Sequence, residues 1–244
     1  MRHKFELLLK DFWRALKRPA QNENMLRLAV WGFTRFTPEL VPDAVKVRQV
    51  LEFVEALRSS DTPGRQVAEE RLMGDLVHLA GQCSEVLEDA KCPRLTGFDT
   101  ILAAPGELQP VLRVLKELHD FALACFQFKR PRDSFGGARR ALAFGILGRV
   151  GWAVDLPEVV PMALRALRKT KSVESRQASE FLQEYFAERD LAPDDAMIEE
   201  LLSLVESTNS RSTAYGALNA LVETGAISEF EAMDRMDNWK SKHR

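Results

Sequence analysis

Apolar residues return along most of this chain at three- and four-residue steps, the spacing that gathers them on one face of a helix. From Leu156-Pro157-Glu158-Val159-Val160-Pro161 the pattern predicts a helix with Val159, Val160, Ala163, Leu164 and Leu167 inward, proline being tolerated in its first turns. A polar turn, Thr170 to Ser172, leads to a second helix with Ala178, Phe181, Leu182 and Tyr185 on its stripe. The plan then repeats. Pro193, Asp194 and Asp195 start a helix, their negative charge opposing the positive end of its dipole, and Met197, Leu201, Leu204 and Val205 supply the stripe. After Ser207-Thr208-Asn209-Ser210 comes a helix packed through Ala214, Leu218, Leu221 and Val222 and stopped at Gly225. A last amphipathic helix from about Ser228 to Trp239 takes Ile227, Phe230, Met233 and Met236 as its apolar side. Near the front, Pro38 opens a helix to about Arg58. Residues 60–64 form a turn, and a long helix follows with Leu72, Leu76, Leu79, Ala80, Cys83 and Leu87 inward. No segment alternates apolar and polar as a half-buried strand does, so the expected class is all-α.

The helices also repeat. Arginine, one spacer and alanine recur as Arg27-Leu28-Ala29, Arg139-Arg140-Ala141 and Arg176-Gln177-Ala178, echoed by Ser212-Thr213-Ala214 and by Arg65-Gln66-Val67-Ala68. The alanines at 141, 178 and 214 stand 37 and 36 residues apart. A period of that size marks stacked helix pairs, each unable to bury its apolar face alone. A small side chain at the repeated position lets a neighbouring helix approach closely.

Proline-rich starts of the form Pro-Glu-(Leu/Val)-Val-Pro, at Pro38–Pro42 and Pro157–Pro161, precede a turn with Asp or Ser and then Arg-x-Ala in a second helix. This grammar resembles the HEAT-repeat family of α-solenoids. The resemblance implies a right-handed α-α superhelix of about five antiparallel helix pairs plus a terminal capping helix, spanning residues 1–244 as one domain. It also implies a ladder between the arginines of one repeat and the turn aspartates of the next. Arg27, Arg139 and Arg176 occupy the arginine position and Asp61 the aspartate position, whereas the turn at 170–172 has no acid, leaving the ladder incomplete. Lys91 to Pro105, with Cys92-Pro93, Gly97 and Ala104-Pro105, falls where another second helix belongs, so that repeat is degenerate or carries an insertion. This gives a soft division into 1–90, an irregular 91–105 and 106–244.

One helix stands apart. Between Ala141 and Val154 the only charge is Arg149, which predicts a helix surrounded on most sides, yet Gly145, Gly148 and Gly151 interrupt it. Each interior glycine costs about 0.5–1 kcal/mol relative to alanine, and the compensation expected is close approach of a neighbouring helix, with approach of a ligand or partner backbone and a hinge as the alternatives.

Composition sharpens the picture where it is uneven. The net charge of −2 conceals eleven Lys and Arg against four Asp and Glu over 129–176, a local +7, and two against thirteen over 177–234, a local −11. The expected consequence is a basic surface built from Arg139, Arg140, Arg165, Arg168, Lys169 and Arg176 beside an acidic end, suited to docking an acidic protein partner. No apolar run approaches the roughly 20 residues that cross a bilayer, and no apolar signal core follows Met1-Arg2-His3-Lys4, so a cytoplasmic protein without a membrane partner is expected. Cys83, Cys92 and Cys125 are odd in number and form no Cys-x-x-Cys pair, which points to reduced thiols.

Catalytic chemistry finds little support. None of His3, His78, His119 and His243 has a partner at metal-ligand spacing, no nucleophile elbow or phosphate loop is present, and neither metal nor cofactor is expected. The function expected is therefore a non-enzymatic interaction scaffold. The alternative comes from the resemblance: some HEAT-like proteins of this size are DNA glycosylases acting on alkylated bases, and Arg149, Trp152 and Asp155 form the one local set able to imitate their site. A pI near 6.2 disfavours nucleic acid, whose affinity rests on neutralising several phosphates, and Asp155 has a competing task in capping the helix that follows it.

Overall fold

The computed structural model describes residues 2–17, 33, 37–60, 64–127, 136–168, 173–187 and 195–243. Eleven α-helices lie within them: α1 (Arg2–Lys17), α2 (Thr37–Leu40), α3 (Ala44–Ser59), α4 (Arg65–Asp89), α5 (Gln109–Gln127), α6 (Gly136–Gly151), α7 (Val160–Leu167), α8 (Val173–Ala187), α9 (Asp195–Ser207), α10 (Arg211–Glu223) and α11 (Glu229–Lys242). Short 3-10 turns occupy Phe98–Ala103 and Pro157–Val159. No strand occurs among the described residues, whose one extended pairing is an isolated bridge between Leu95 and Val154. The protein is all-α.

Packing follows chain order. α4, α6, α8 and α10 lie side by side in succession, and α5, α7 and α9 pack against α6, α8 and α10 respectively, while α3 packs against both α4 and α5. α11 joins at the far end against α10. A single apolar cluster runs from Phe5 to Trp239. At the near end α1 lays Phe12 on Phe53 of α3, ring centroids 4.4 Å apart, with Trp13 edge-on to the same ring at 5.7 Å.

The repeat spacing read from the alanines is visible in the helices that carry them. α6, α8 and α10 begin at residues 136, 173 and 211, intervals of 37 and 38, and Ala141, Ala178 and Ala214 are all buried at their neighbours' surfaces. From α4, which begins at 65, to α6 the interval is 71. Most of the extra length is an irregular segment between α4 and α5, in which the 3-10 turn Phe98–Ala103 is the one helical element. This segment is anchored. Leu95 donates its N–H to the Ala153 carbonyl at 3.0 Å and accepts from Asp155 N–H at 2.8 Å, and Arg94 donates to the Gly151 carbonyl at the end of α6. Ile101 and Leu108 are buried beneath it, and its first turn holds Lys91 at φ 51 to end α4, with Cys92 N–H returning to the Leu87 carbonyl at 2.8 Å.

Two helix expectations need correction. The helix expected from Pro38 to Arg58 is two: α2 ends at Leu40, and Asp43 caps α3 by accepting from Lys46 N–H at 3.1 Å. Pro42 lacks the N–H that a continuous helix would need there. In α11, Phe230 and Met233 are 77% and 62% exposed, whereas Met236 and Trp239 form the inward seam. Trp239 Nε1–H donates to the Thr208 carbonyl at 2.8 Å, which fixes the helix's rotation with Phe230 outward. Ser228 caps α11, and at Gly225 (φ +69) the chain leaves α10 as the sequence indicated.

Gly145 and Gly148 of α6 face neighbouring helices. A Cβ at Gly145 would sit 3.3 Å from Val77 of α4, and one at Gly148 would sit 2.9 Å from the carboxylate of Glu184 on α8. The tightest approach lies elsewhere: a Cβ at Gly216 of α10 would sit 2.7 Å from Ser179 Cβ and 2.0 Å from its hydroxyl. There α8 and α10 cross at a distance only glycine permits.

Candidate functional site

The two arginines near the start of α6 are placed differently, Arg139 buried and Arg140 partly exposed. Arg139 is 4% exposed and its guanidinium meets the buried Glu69 of α4 with two parallel bonds, Nε to Oε1 at 2.5 Å and Nη2 to Oε2 at 3.0 Å. Beside this pair Glu55 and Arg58 of α3 form another at 3.0 Å, and burial pushes the Glu55 carboxyl above its ordinary value against the opposing pull of Arg58 and Arg139. Arg140 points to the opposite neighbour, pairing with the buried Glu174 of α8 at 2.9 Å. One step further, Ser175 of α8 and Thr213 of α10 share a hydrogen bond at 3.3 Å. Among the described residues polar contacts therefore link the starts of α4, α6, α8 and α10, and the acids in them, Glu69 and Glu174, lie inside helices. Asp61 and the turn at 170–172 lie outside the described residues, as do Arg27 and Lys169.

The other predicted basic residues are exposed. Arg168 pairs with Glu200 of α9 at 2.7 Å, and Arg176 lies 3.7 Å from Glu180 on its own helix. Arg165 donates Nε–H to the Pro161 carbonyl at 3.1 Å and has no carboxylate partner among the described residues.

Arg165 and Arg140 meet at a groove. Leu123, Phe126 and Gln127 of α5, Arg140, the 3-10 residue Glu158, Met162, Arg165 and Ala166 of α7, and Glu174 line an open depression of about 600 Å³. Leu123, Phe126, Met162 and Ala166 give it an apolar floor. Three of its four charged groups are already engaged: Arg140 with Glu174, and Glu158 with His119, whose Nε2 lies 3.1 Å from Glu158 Oε1. His119 is buried behind the groove. Its Nδ1 lies 3.1 Å from Asp120 Oδ1, and its ring lies 5.0 Å from that of Phe98 in the segment between α4 and α5. Burial acts to raise the Asp120 carboxyl, but hydrogen bonds from Lys116 and His119 outweigh it and hold the group below its ordinary value. Arg165 remains as the charge on the rim without an acidic partner.

A second depression of about 440 Å³, between α1 and α3, is lined by Phe5, Leu9, Trp13, Lys46 and neighbours and contains none of the candidate site residues read from the sequence.

Arg149, Trp152 and Asp155 line neither groove. Arg149 covers the Trp152 ring at 4.3 Å and reaches to 3.9 Å from Glu184. Asp155 accepts from the Tyr185 hydroxyl at 2.8 Å and does not cap the following turn, whose first residue has no side-chain cap. The tryptophan face and the carboxylate that a base-excising site would use are thus both occupied by neighbouring side chains.

Among the described residues no group of His, Cys, Asp and Glu is arranged to hold a metal ion. Cys83 and Cys125 are buried and their thiols are pushed up to about 12 by desolvation, while the half-buried Cys92 is raised by the same cause. Such thiols are poor nucleophiles at neutral pH. No described helix is long and apolar enough to cross a membrane. No protein-family model, curated protein or solved structure matches this chain.

The floor of the groove and Glu174 were not singled out in the sequence, and Glu69, which beside Glu70 reads as an ordinary exposed helix position, is buried. Leu123 and Phe126 follow His119 at helical steps, and Met162 and Ala166 bracket Arg165 on α7, so the boundary between stripe and charged face is where this site is encoded.

Proposed function

We propose that this chain is a non-enzymatic interaction scaffold whose helix pairs stack as a HEAT-like superhelix, and that its working surface is the groove between α5 and α8. The successive side-by-side packing of α4, α6, α8 and α10, with α3, α5, α7 and α9 as their pair members, supports the stacked reading. One observation carries the functional reading: an apolar floor of Leu123, Phe126, Met162 and Ala166 with a single unmatched cation, Arg165, at its edge. Such a surface suits an amphipathic protein segment that places apolar side chains on the floor and a carboxylate against Arg165. The three free thiols fit a reducing compartment, and the reading places the protein in the cytoplasm.

The test compares two charge reversals. Arg165→Glu is expected to release a protein that the native chain retains from lysate of the source cells, and to remove the salt dependence of that retention. Arg168→Glu, whose native guanidinium already pairs with Glu200, is expected to retain it. Unchanged retention by Arg165→Glu, with native helix content in circular dichroism, would overturn the assignment of the groove.

A further inference from the structure

The terminal helix presents a face opposite in character to the groove. Phe230 and Met233 project from α11 with 77% and 62% of their surface exposed, one helical turn apart. Glu231 pairs with Arg235 at 2.9 Å and Asp237 with Lys240 at 2.8 Å, which leaves Glu229 and Asp234 as the acids of this face without a cationic partner among the described residues. Two large apolar side chains flanked by two unmatched carboxylates stand at one end of the packing order. A groove with an apolar floor and an unmatched arginine stands in its middle.

We propose that the outward face of α11 in one copy seats in the α5–α8 groove of a second copy, so that copies of this chain associate head to tail. The inference rests on reading the groove as a protein-docking surface and names its occupant. Phe230 and Met233 lie on Leu123, Phe126, Met162 and Ala166, where the unbranched Met side chains on both partners adapt to one another. Glu229 or Asp234 supplies the carboxylate that Arg165 lacks among the described residues of its own chain. Because the two patches differ, the contact is heterologous: each pair of copies keeps one free groove and one free α11, and assembly continues until it closes into a ring or stays open as a chain. A groove of this size gives a weak interface, so association is concentration-dependent.

Sedimentation velocity on the full chain over a concentration series tests this with two variants. The native protein is expected to grow in mean mass with concentration. Arg165→Glu, with the groove disabled, and the double variant Phe230→Glu/Met233→Glu, with α11 disabled, are each expected to weaken self-association about tenfold or more and to sediment as monomers. Their equimolar mixture is expected to form a 1:1 dimer and nothing larger, since one supplies an intact α11 and the other an intact groove. Circular dichroism and melting curves confirm that both variants are folded. A native protein that stays monomeric throughout would overturn the proposal, as would a mixture that fails to pair while the native chain associates. In either case, a different protein held by the groove and released by Arg165→Glu would leave the scaffold reading standing.

Discussion

Arg139 and Arg165 belong to the same basic stretch of sequence, and the fold gives them opposite situations. Arg139 opens a helix in the layer formed by α4, α6, α8 and α10, and its charge is enclosed with Glu69 away from solvent. Arg165 lies on the outer side of α7, exposed, beside a groove. The local excess of +7 is therefore not all displayed at the surface, because part of it is paired between helices. A buried pair is weak evidence of stability in itself, since desolvation offsets much of its attraction, but breaking one partner leaves a charge stranded. An exposed arginine contributes little to stability and is left available for recognition.

The largest effect expected from this contrast is at the interior site. Arg139→Ala leaves Glu69 charged and buried without its partner and should cost about 3–5 kcal/mol in urea unfolding. The double variant Arg139→Met/Glu69→Leu should recover most of that loss, and if it is as unstable as the single variant the pair is not the reason. Next comes the crossing of α8 and α10. Gly216→Ala forces a methyl into Ser179 and should cost about 1–3 kcal/mol, whereas adding Ser179→Gly should restore much of it. Arg165→Glu should lie within about 0.5 kcal/mol of the native protein while altering binding, so a large loss of stability there would erase the distinction between the two arginines.

Smaller effects sharpen the same line between inside and outside. Alkylation at pH 8 should label Cys92 first and reach Cys83 and Cys125 only after unfolding, because burial both shields those two thiols and pushes them up to about 12. At low pH, Asp120 contributes stability that is complete above its ordinary value of 3.8 and is lost as pH falls through its lower folded value. Asp120→Asn should flatten that part of the acid limb of a melting-temperature profile, and an unchanged limb would mean that Lys116 and His119 do not hold it.

Helix positions were legible because burial imposes one period on every helix. The sets read from α4, α7, α8, α9 and α10 lie inward almost residue for residue, as at Leu72, Leu167, Phe181, Leu201 and Leu218. Where the sequence misled, a tertiary neighbour decided. Phe230 and Met233 fit a helical stripe as well as Met236 and Trp239 do, but α11 packs principally on α10, and the bond from Trp239 to Thr208 selects the seam. The partner of Arg139 lies 70 residues away in sequence, beyond anything a local charge count registers. Asp155 reads as a cap from its place before Leu156-Pro157, yet the hydroxyl of Tyr185, 30 residues on, claims it. The groove was hidden for a related reason: its floor takes two residues from α5 and two from α7, each at the margin of an ordinary stripe.

A photoreactive residue in the groove tests the central claim most directly. With p-benzoylphenylalanine in place of Met162, irradiation of living cells should give discrete protein adducts that disappear when Arg165→Glu is added. The same group at the exposed Val67 of α4 should give none of them. Adducts at 162 that include residues 229–242 of another copy would unite the groove with its proposed occupant. Absence of adducts at 162, or the same adducts from 67, would contradict the account.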